Sequence, residues 1–228
     1  MKKFMALLLV AGMTLSLTAC GGSTDTAKTD QADGKDTFTV GFDQDFPPFG
    51  YVGDDGEFTG FDIEMATECA ARMGKKIVLQ PIDWDAKDME LEAGTIDCIW
   101  NGFTMNGRED QYTWTDPYMD NSQVVVVKKD SGINTLADLA GKVVEVQKES
   151  AAETALNDEE HADLMASFAQ LLSVGEYNTA FMDLESGAVD AVAIDIGVAQ
   201  FQIEGKEDQY QILDETISSE PVSYTHLT

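Results

Sequence analysis

Hydrophobic and polar positions along the chain follow two alternating patterns. Short apolar runs are typical of buried strands, and stretches in which apolar residues recur every three or four positions are typical of amphipathic helices. The predicted strands span residues 38–42, 77–82, 96–100, 142–146 and 189–194, and the predicted helices span residues 61–73, 88–93, 135–141 and 150–156. Strands that alternate with helices indicate open, largely parallel sheets covered by helices.

The alternation falls into two halves. Residues 122–128 form a β-branched run that is long enough to cross between two lobes, and the alternation restarts after it. Residues 91–99 (LEAGTIDCI) and 184–192 (LESGAVDAV) both describe a helix, a glycine stop and a buried strand with an aspartate at its start. One copy lies in each half. Because ligands of open α/β sheets collect at the carboxyl ends of the strands, we expect a ligand in the cleft between two lobes.

Two cysteines lie in apolar patterns within these elements. Cys69 belongs to a stripe of apolar positions in the helix at 61–73, together with Phe61, Met65 and Met73, and Cys98 lies in the strand at 96–100. In an oxidising compartment the two thiols could form a disulfide. Their apolar surroundings instead favour buried free thiols, because cysteine often behaves as a small hydrophobic residue.

The first twenty residues have the features of a secretory leader. A short basic segment precedes an apolar stretch at residues 4–17, which is shorter than the ~20 residues of a membrane span. Residues 17–21 (LTACG) resemble the lipobox of bacterial lipoproteins, in which the cysteine, here Cys20, becomes the lipid-bearing N-terminus. The alternative is an ordinary signal peptide with a chance cysteine. We expect a lipoprotein signal peptide at 1–19, a disordered tether at 20–36, and a protein that acts outside the cytoplasmic membrane while anchored to it.

Composition excludes several classes of function. The chain has 14 basic and 42 acidic residues, for a net charge of −28, so it repels phosphate backbones and nucleic-acid binding is excluded. The 2 histidines and 3 cysteines disfavour a structural zinc site or a disulfide scaffold. No calcium loop of the EF-hand spacing occurs. We therefore expect no metal and no cofactor.

The segment after the strand at 96–100 contains candidates for binding a carboxylate. Arg108 can hold a carboxylate through two parallel hydrogen bonds, which lysine cannot do. Gly102 permits close approach of the backbone, and Thr104 offers a hydroxyl and an N–H group. A surface arginine paired with Glu109 or Asp110 is equally compatible with the spacing.

The second half of the chain contains a candidate for binding a positively charged group of the ligand. Asp195 follows the strand at 189–194 and could pair with a ligand ammonium, or could be a solvated loop residue. Ser150 and Glu153 have the spacing of a capping box, and a helix N-terminus also presents free N–H groups to an anion. The aromatic residues that could pack either against the carbon chain of a ligand or in the core are Phe46, Phe49, Tyr51 and Trp84.

From residue 37 onward the chain resembles the family 3 (polar amino acid) solute-binding proteins of bacterial ABC importers. The matching stretches are VGFDQDFPPFGY, GEFTGFDIEMA, DWDAKDMELEAGTIDCIWNGFT, YTWTDPYM, LAGKVVEVQKESAAET and LESGAVDAVAID. The resemblance implies a two-lobed periplasmic-binding-protein-like fold of type II, an α/β fold in which each lobe is an open, mostly parallel sheet with helices on both faces. Lobe I would span residues 37–123 and lobe II residues 124–218.

Family members return to lobe I through a second hinge strand and end with one or two helices there. In this chain residues 219–228 correspond to the start of that return, and the ending SYTHLT does not resemble the family. We therefore expect lobe I to be incomplete at its C-terminus, with a tail that is truncated or not native.

The resemblance also implies roles for individual residues. The α-carboxylate of the ligand would be held by the strand-end loop, the α-ammonium by an aspartate of lobe II, and the side chain by aromatic residues of lobe I. The residues concerned are Asn101, Gly102, Thr104 and Arg108 for the carboxylate, assisted by Ser150 and Ala151; Asp195 for the ammonium; Phe46 and Trp84 for the side chain; and Asp43 for its tip. Glu149 stands where the family commonly has glycine, so that a carboxylate enters the lobe II loop.

The function implied by the resemblance is extracellular binding of a free polar L-amino acid by hinge closure. A monomeric, non-enzymatic protein would then deliver the ligand to an ABC permease and its ATPase. The alternatives are a cyclohexadienyl or arogenate dehydratase on the same fold and a ligand-sensing module. Against an enzyme, His161 lies in an acidic run and His226 lies in the tail, and neither position suits acid–base catalysis.

Overall fold

The computed structural model describes residues 36–226. The predicted signal peptide, Cys20 and almost all of the predicted tether lie outside these residues. The helices are α1 (Phe61–Arg72), α2 (Lys87–Glu92), α3 (Ala151–Leu156), α4 (Ala162–Ser167), α5 (Tyr177–Ser186) and α6 (Ile196–Ile203), with 3-10 turns at Trp84–Ala86, Leu136–Leu139 and Glu159–His161.

Strands of two to ten residues form the rest of the regular structure. They are β1 (Thr37–Phe42), β2 (Asp45–Phe46), β3 (Gly50–Val52), β4 (Phe58–Thr59), β5 (Lys76–Pro81), β6 (Cys98–Thr104), β7 (Thr113–Trp114), β8 (Met119–Lys128), β9 (Val143–Gln147), β10 (Gln170–Val174), β11 (Ala191–Asp195), β12 (Tyr210–Ile212) and β13 (Ser218–His226).

The main sheet has the strand order β10-β9-β11-β8-β13-β6-β1-β5, with β12 paired to β8 and β7 paired to β13. Strands β5, β1 and β6 are parallel, as are β10, β9 and β11. Each lobe therefore contains a set of three parallel strands, as the resemblance implied. Strands β8 and β13 are antiparallel to their neighbours and make the two sheets continuous.

The chain crosses between the lobes along β8 and β13. Residues 119–123 of β8 pair with β13, and residues 123–127 pair with β11. Strand β8 therefore has β13 beside its first half and β11 beside its second half, and Gln123 pairs with both. This position is next to the lobe boundary that the sequence suggested. Strand β13 pairs with β8 at its start and with β6 further along. Two adjacent antiparallel strands thus form the connection about which the lobes can move.

The four consecutive valines of β8 are buried on both faces of the sheet. Val124 and Val126 pack in one apolar cluster with α5 and α6, and Val125 and Val127 pack in a second cluster with Leu139 on the opposite face. A strand covered on both sides has no polar face. This double burial explains why the run is continuously apolar rather than alternating.

The aspartate of the repeated motif at residues 91–99 and 184–192 has the same structural role in both lobes. The Asp97 carboxylate accepts a 2.8 Å hydrogen bond from the backbone N–H of Thr39, and the Asp190 carboxylate accepts a 2.9 Å bond from the N–H of Val143. Each aspartate therefore fixes the start of the neighbouring parallel strand. Gly187 ends helix α5 in a left-handed conformation with φ of 81°, which glycine adopts without a steric penalty.

Helix α1 buries a different face from the apolar stripe noted in the sequence. Ile63, Ala66 and Ala70 are buried, whereas Phe61 and Met73 are 47% and 46% exposed. Residues spaced by four drift by about 40° per step around a helix with 3.6 residues per turn, so the stripe does not stay on one face. The alanines allow α1 to lie close to the sheet.

The thiol prediction is confirmed, since Cys69 and Cys98 are both free; Cys98 is buried and Cys69 is half-buried. The helix predicted at 135–141 is a 3-10 turn, and a capping box between Thr135 and Asp138 stabilises its start. Within residues 36–226, no helix has the length and apolar character needed to cross a membrane.

Candidate functional site

A small cavity lies between the lobes and brings together most of the residues that the sequence singled out. Its volume is about 20 Å³. The sequence-predicted residues that line it are Phe46, Trp84, Asn101, Gly102, Thr104 and Arg108 from lobe I and Ser150, Ala151 and Asp195 from lobe II. Phe103 and Gln147 complete the lining and were not predicted. Of the residues to which the resemblance assigns a contact with the ligand, Asp43 alone is outside this lining.

The carboxylate-binding candidates of lobe I lie in a strand rather than in a strand-end loop. Asn101, Gly102 and Thr104 belong to β6, and the expectation that they follow the strand was wrong. Strand β6 continues because β13 pairs with it at Phe103 and Thr104. Gly102 has φ of 59°, a left-handed value that favours glycine in the middle of this strand. The buried Asp62 carboxylate accepts a hydrogen bond from the Gly102 N–H.

Arg108 is buried at the cavity and bridges the two lobes. Its guanidinium donates to the backbone carbonyl of Thr104 at 3.2 Å and to that of Glu149 in lobe II at 2.9 Å. It also lies over the ring of Phe103, 5.1 Å from the centroid. Burial lowers the pKa of Arg108, but a guanidinium remains protonated in proteins. The surface pairing with Glu109 or Asp110 is therefore not the arrangement found.

Glu149 occupies a left-handed backbone conformation at the tip of the lobe II loop. Its φ of 58° explains why glycine suits this position in the resembling family. The carbonyl of Glu149 accepts from Trp84 Nε1 at 3.3 Å as well as from Arg108. Its carboxylate forms a 2.6 Å ion pair with Lys87, whose buried ammonium lies 5.3 Å from the ring centroid of Trp84. One lobe II residue thus holds three residues of lobe I.

Ser150 caps helix α3 as its spacing predicted. The Ser150 hydroxyl accepts from the N–H of Glu153 at 3.1 Å, and the Glu153 carboxylate accepts from the N–H of Glu149 at 2.6 Å. Ala151 is the first residue of α3. The first N–H groups of a helix have no partner within the helix. The start of α3, which lines the cavity, therefore presents backbone N–H groups with partial positive charge.

Asp195 ends strand β11 and is buried beside the cavity. Asn121 and Gln123, which alternate along β8, donate their side-chain amides to its carboxylate; the bond from Gln123 is 3.0 Å long. Burial, followed by the negative charge of Glu220, raises the pKa of Asp195 to about 7, although the two amide bonds oppose the rise. The alternative of a solvated loop aspartate is therefore wrong.

Asp43 borders a second, larger cavity next to the first. Its carboxylate accepts from Gln147 of lobe II at 2.6 Å and from the N–H of Asp45 at 2.8 Å. Burial raises the pKa of Asp43 to about 6 against the opposing effect of these bonds. This cavity has a volume of about 520 Å³ and is also lined by Trp84. The acidic residues around it are Asp43, Asp45, Asp83, Asp85, Glu90 and Glu176.

The aromatic residues of the β2–β3 hairpin contact lobe II. Phe46 stacks on Phe49 with centroids 5.6 Å apart and lies 5.9 Å from the ring of Tyr177. Tyr51 lies 5.5 Å from Phe201 of α6. Phe46 and Phe49 therefore join the core of lobe II in this closed arrangement, as expected if they pack in the core, whereas Tyr51 contacts a partly exposed ring. Phe46 also reaches the cavity.

Four polar residues at or next to the site were missed by sequence reasoning. Gln147 ends β9 next to the predicted Ser150, and Gln123 and Asn121 interrupt the apolar pattern of β8 at a spacing of two. That alternation is the signal that could have been used, because residues spaced by two share one face of a strand. Glu220 accepts from the Asn121 and Gln123 amides. It lies in the segment for which the sequence predicts only a strand that returns to lobe I.

Comparisons with a family model and with individual proteins all identify relatives among solute-binding proteins. Residues 38–183 match the family described as bacterial extracellular solute-binding proteins, family 3. The chain is 36% identical over 148 residues to the arginine-binding extracellular protein ArtP of Bacillus subtilis (strain 168), a match that covers 64% of this chain and 56% of ArtP. It is 30% identical over 217 residues to the L-cystine-binding protein TcyJ of Escherichia coli (strain K12), covering 94% of this chain and 77% of TcyJ.

A solved structure shows the same architecture. An ABC uptake transporter substrate-binding protein from Streptococcus pneumoniae with bound histidine superposes with a TM-score of 0.79 and 33% sequence identity, over 84% of this chain and 80% of that one. The two-lobed fold and the cleft therefore correspond to those of a known amino-acid-binding protein. The family acts outside the cytoplasm. The chain belongs to the bacterial extracellular solute-binding proteins of family 3.

Proposed function

We propose that the chain binds a free L-amino acid with a cationic side chain between its lobes and delivers it to an ABC importer. The observation that carries the proposal is that Arg108 of lobe I and Asp195 of lobe II line the same cavity. A guanidinium and a carboxylate on opposite walls complement the α-carboxylate and α-ammonium of a zwitterion. Buried ligand charges are tolerated when each one gains an opposite partner.

Binding would require the lobes to open and close. The present cavity of about 20 Å³ is far smaller than the roughly 300–1,000 Å³ of typical ligand sites. A ligand would enter after rotation about β8 and β13. Its carboxylate would then take the place of the Thr104 and Glu149 carbonyls on Arg108, assisted by Thr104 and by the N-terminus of α3 at Ser150 and Ala151.

The acidic cavity beside Trp84 and Asp43 supports a cationic side chain. It adjoins the small cavity, since Trp84 lines both, so a long side chain anchored at Arg108 and Asp195 could extend into it. Among the relatives, ArtP is named for arginine and the Streptococcus pneumoniae structure contains histidine. TcyJ is named for L-cystine, but the second half of cystine is a zwitterion without net positive charge, so the surrounding acidic residues would favour it less than a cationic side chain.

The role we infer is binding without chemistry. The cavity lining includes no histidine among the residues that the structure describes, and His161 lies in the turn Glu159–His161 of lobe II. We infer further that a lipid on Cys20 would anchor a monomeric protein to the cell membrane through the tether. The closed form would be recognised by a permease and ATPase. The lipobox and the family support this arrangement.

Isothermal titration calorimetry with L-arginine, L-histidine, L-cystine, L-glutamate and D-arginine tests the proposal. We expect micromolar or tighter binding of L-arginine, with L-cystine and L-glutamate at least about tenfold weaker, which corresponds to about 1.4 kcal/mol. D-arginine should bind more weakly still, because its ammonium and side chain exchange places. Tightest binding of L-cystine would contradict the cationic specificity, and the absence of binding to any amino acid would contradict the function.

A further inference from the structure

Two buried carboxylates share their hydrogen-bond donors at the hinge. The Asn121 amide donates to Asp195 and also to Glu220, the latter at 3.3 Å. The Gln123 amide donates to Asp195 at 3.0 Å and also to Glu220. All four side chains are buried. Because each amide nitrogen reaches both acids, the two carboxylates lie next to each other rather than in separate sites.

Strand pairing fixes this arrangement. Gln123 of β8 is directly opposite Asp195 of β11, and Asn121 of β8 is directly opposite Glu220 of β13. Asn121 and Gln123 point to the same face of β8 because they are two residues apart. Glu220 therefore lies on β13, which connects the lobes, Asp195 lies on the adjacent β11, and the two amides that hold both acids lie on β8.

The surrounding charges leave the pair with an excess of negative charge. Glu220 also accepts from the Thr104 hydroxyl of β6 at 2.7 Å and from the Ser218 hydroxyl of β13 at 3.1 Å. These donors are neutral, as are the two amides. Arg108, which follows β6, is a cation whose charge acts on both acids. Tyr177 of α5 faces Asp195 as a neutral phenol, because burial raises its pKa.

Two adjacent buried carboxylates with neutral donors cannot both ionise easily, so the charge of Glu220 makes the ionisation of Asp195 less favourable. The raised pKa of Asp195, for which burial is the main cause and Glu220 the second, agrees with this geometry. An ammonium placed against Asp195 would supply the missing positive charge and would make double ionisation favourable.

We propose that Asp195 and Glu220 form an acid pair in which Asp195 releases a proton when the α-ammonium of the ligand arrives, so that ligand capture weakens as the solution becomes acidic. The O–H bond of the protonated acid breaks and its proton passes to the solvent, while the ammonium keeps all three of its protons. Glu220 is thus a positioning residue that acts through Asp195. The inference rests on the proposed function, in which Asp195 receives the ammonium.

Calorimetry with L-arginine tests the proton release, because L-arginine has no group that titrates between about pH 5 and 8. Titrations in two buffers with different ionisation enthalpies give the number of protons released. For the wild-type chain we expect net proton release near pH 6–7 and an affinity that falls by up to about tenfold per pH unit below that range. An affinity that is constant between about pH 5 and 8 without proton release would overturn the proposal.

Glu220→Gln keeps the shape of the side chain and one oxygen that can accept from Thr104, Asn121 and Gln123, and it removes the charge. This variant should release fewer protons at pH 6–7, and the fall in its affinity should move to lower pH. The exposed Glu160→Gln variant is the matched control and should behave as the wild type does. Proton release from Glu220→Gln equal to that of the wild type would contradict the coupling.

A measurement without ligand separates this inference from the proposed function. The side-chain carboxyl carbon of Asp195 is assigned in ¹³C spectra by comparison with Asp195→Asn and is then followed against pH. In the ligand-free wild type it should titrate near neutrality, and in Glu220→Gln it should titrate at lower pH. If no amino acid binds but this shift is found, the function fails and the acid pair stands. Titration of Asp195 near its ordinary value of about 4 in the wild type would overturn the acid pair itself.

Discussion

Arg108 of lobe I donates a 2.9 Å hydrogen bond to the backbone carbonyl of Glu149 in lobe II. The same lobe II residue forms an ion pair with Lys87 through its side chain. The guanidinium that we assign to the ligand carboxylate is therefore already engaged across the cleft in the closed form. Residues on either side of the cavity can consequently tune how readily the lobes close around a ligand.

Lys87→Met should weaken the binding of L-arginine. The Lys87 ammonium is buried, whereas the Glu149 carboxylate is 45% exposed, so the ion pair forms only when the lobes meet and its loss leaves Glu149 solvated. We expect about tenfold weaker binding by calorimetry, equivalent to about 1.4 kcal/mol. Lys142→Met removes an ion pair to Asp190 within lobe II and should leave the affinity within about twofold. Unchanged affinity of Lys87→Met would show that the ion pair does not contribute to closure.

Asp85→Asn should have a much smaller effect than Lys87→Met. Its partner Lys148 also reaches across the cleft at 2.7 Å, but both side chains of this pair are more than a third exposed. Exposed ion pairs contribute about 0–1 kcal/mol and are screened by salt. We expect a loss of affinity for L-arginine below about threefold at low salt, and none at high salt. A tenfold loss that persists at high salt would contradict this assignment.

Asp62→Ala should destabilise the fold. The Asp62 carboxylate accepts from the Gly102 N–H and from the Tyr118 hydroxyl, the latter at 2.8 Å, and its removal leaves both donors buried without a partner. Each unsatisfied buried group costs about 1–3 kcal/mol. Urea denaturation should therefore show a loss of about 2–4 kcal/mol. Glu64→Ala on the exposed face of the same helix should change stability by less than about 0.5 kcal/mol. Equal stability of the two variants would contradict the role of Asp62.

The ligand-free chain should become more stable as the pH falls from 7 to about 5. Burial raises the pKa of Asp43 to about 6 and those of Asp62 and Asp195 to about 7, all from an ordinary value of 3.8. In that pH range the folded chain holds more protons than the unfolded chain, so unfolding becomes less favourable as protons are added.

Thermal unfolding followed by circular dichroism measures this effect. The midpoint should rise by at least about 4 °C, given about 2–4 °C per kcal/mol for a chain of this size. Asp43→Asn, which cannot titrate, should show a shallower dependence. A midpoint that is flat or falls between pH 7 and about 5 would mean that these carboxylates are ionised in the folded chain.

Much of the fold could be predicted because its central strands are short apolar runs. The β-branched run of β8 is the clearest example, since burial on both faces leaves its apolar pattern uninterrupted. Strands β2 and β4 have only two residues each, too few to show a period. Helix α6 was missed because it is apolar nearly all the way round and therefore shows no contrast between faces.

The candidate site was predictable where a residue type alone indicates its chemistry. Arg108 and Asp195 could be proposed from their charge and their positions near strand ends. The contacts between lobes could not, because Lys87 and Glu149 are 62 positions apart and nothing in a local pattern specifies which loops of the two lobes meet. The pairing of Asp195 with Glu220 depends in the same way on the register of three strands.

The clamping of a zwitterion by Arg108 and Asp195 is tested most directly with a ligand that lacks one of the two charges. Agmatine is L-arginine without its carboxylate, so it cannot engage Arg108. The wild-type chain should bind L-arginine at least about 100-fold more tightly than agmatine, and Arg108→Gln should bind both weakly, with a preference below about threefold. Equal affinity of the wild type for the two ligands, or a full preference for L-arginine in Arg108→Gln, would contradict the account.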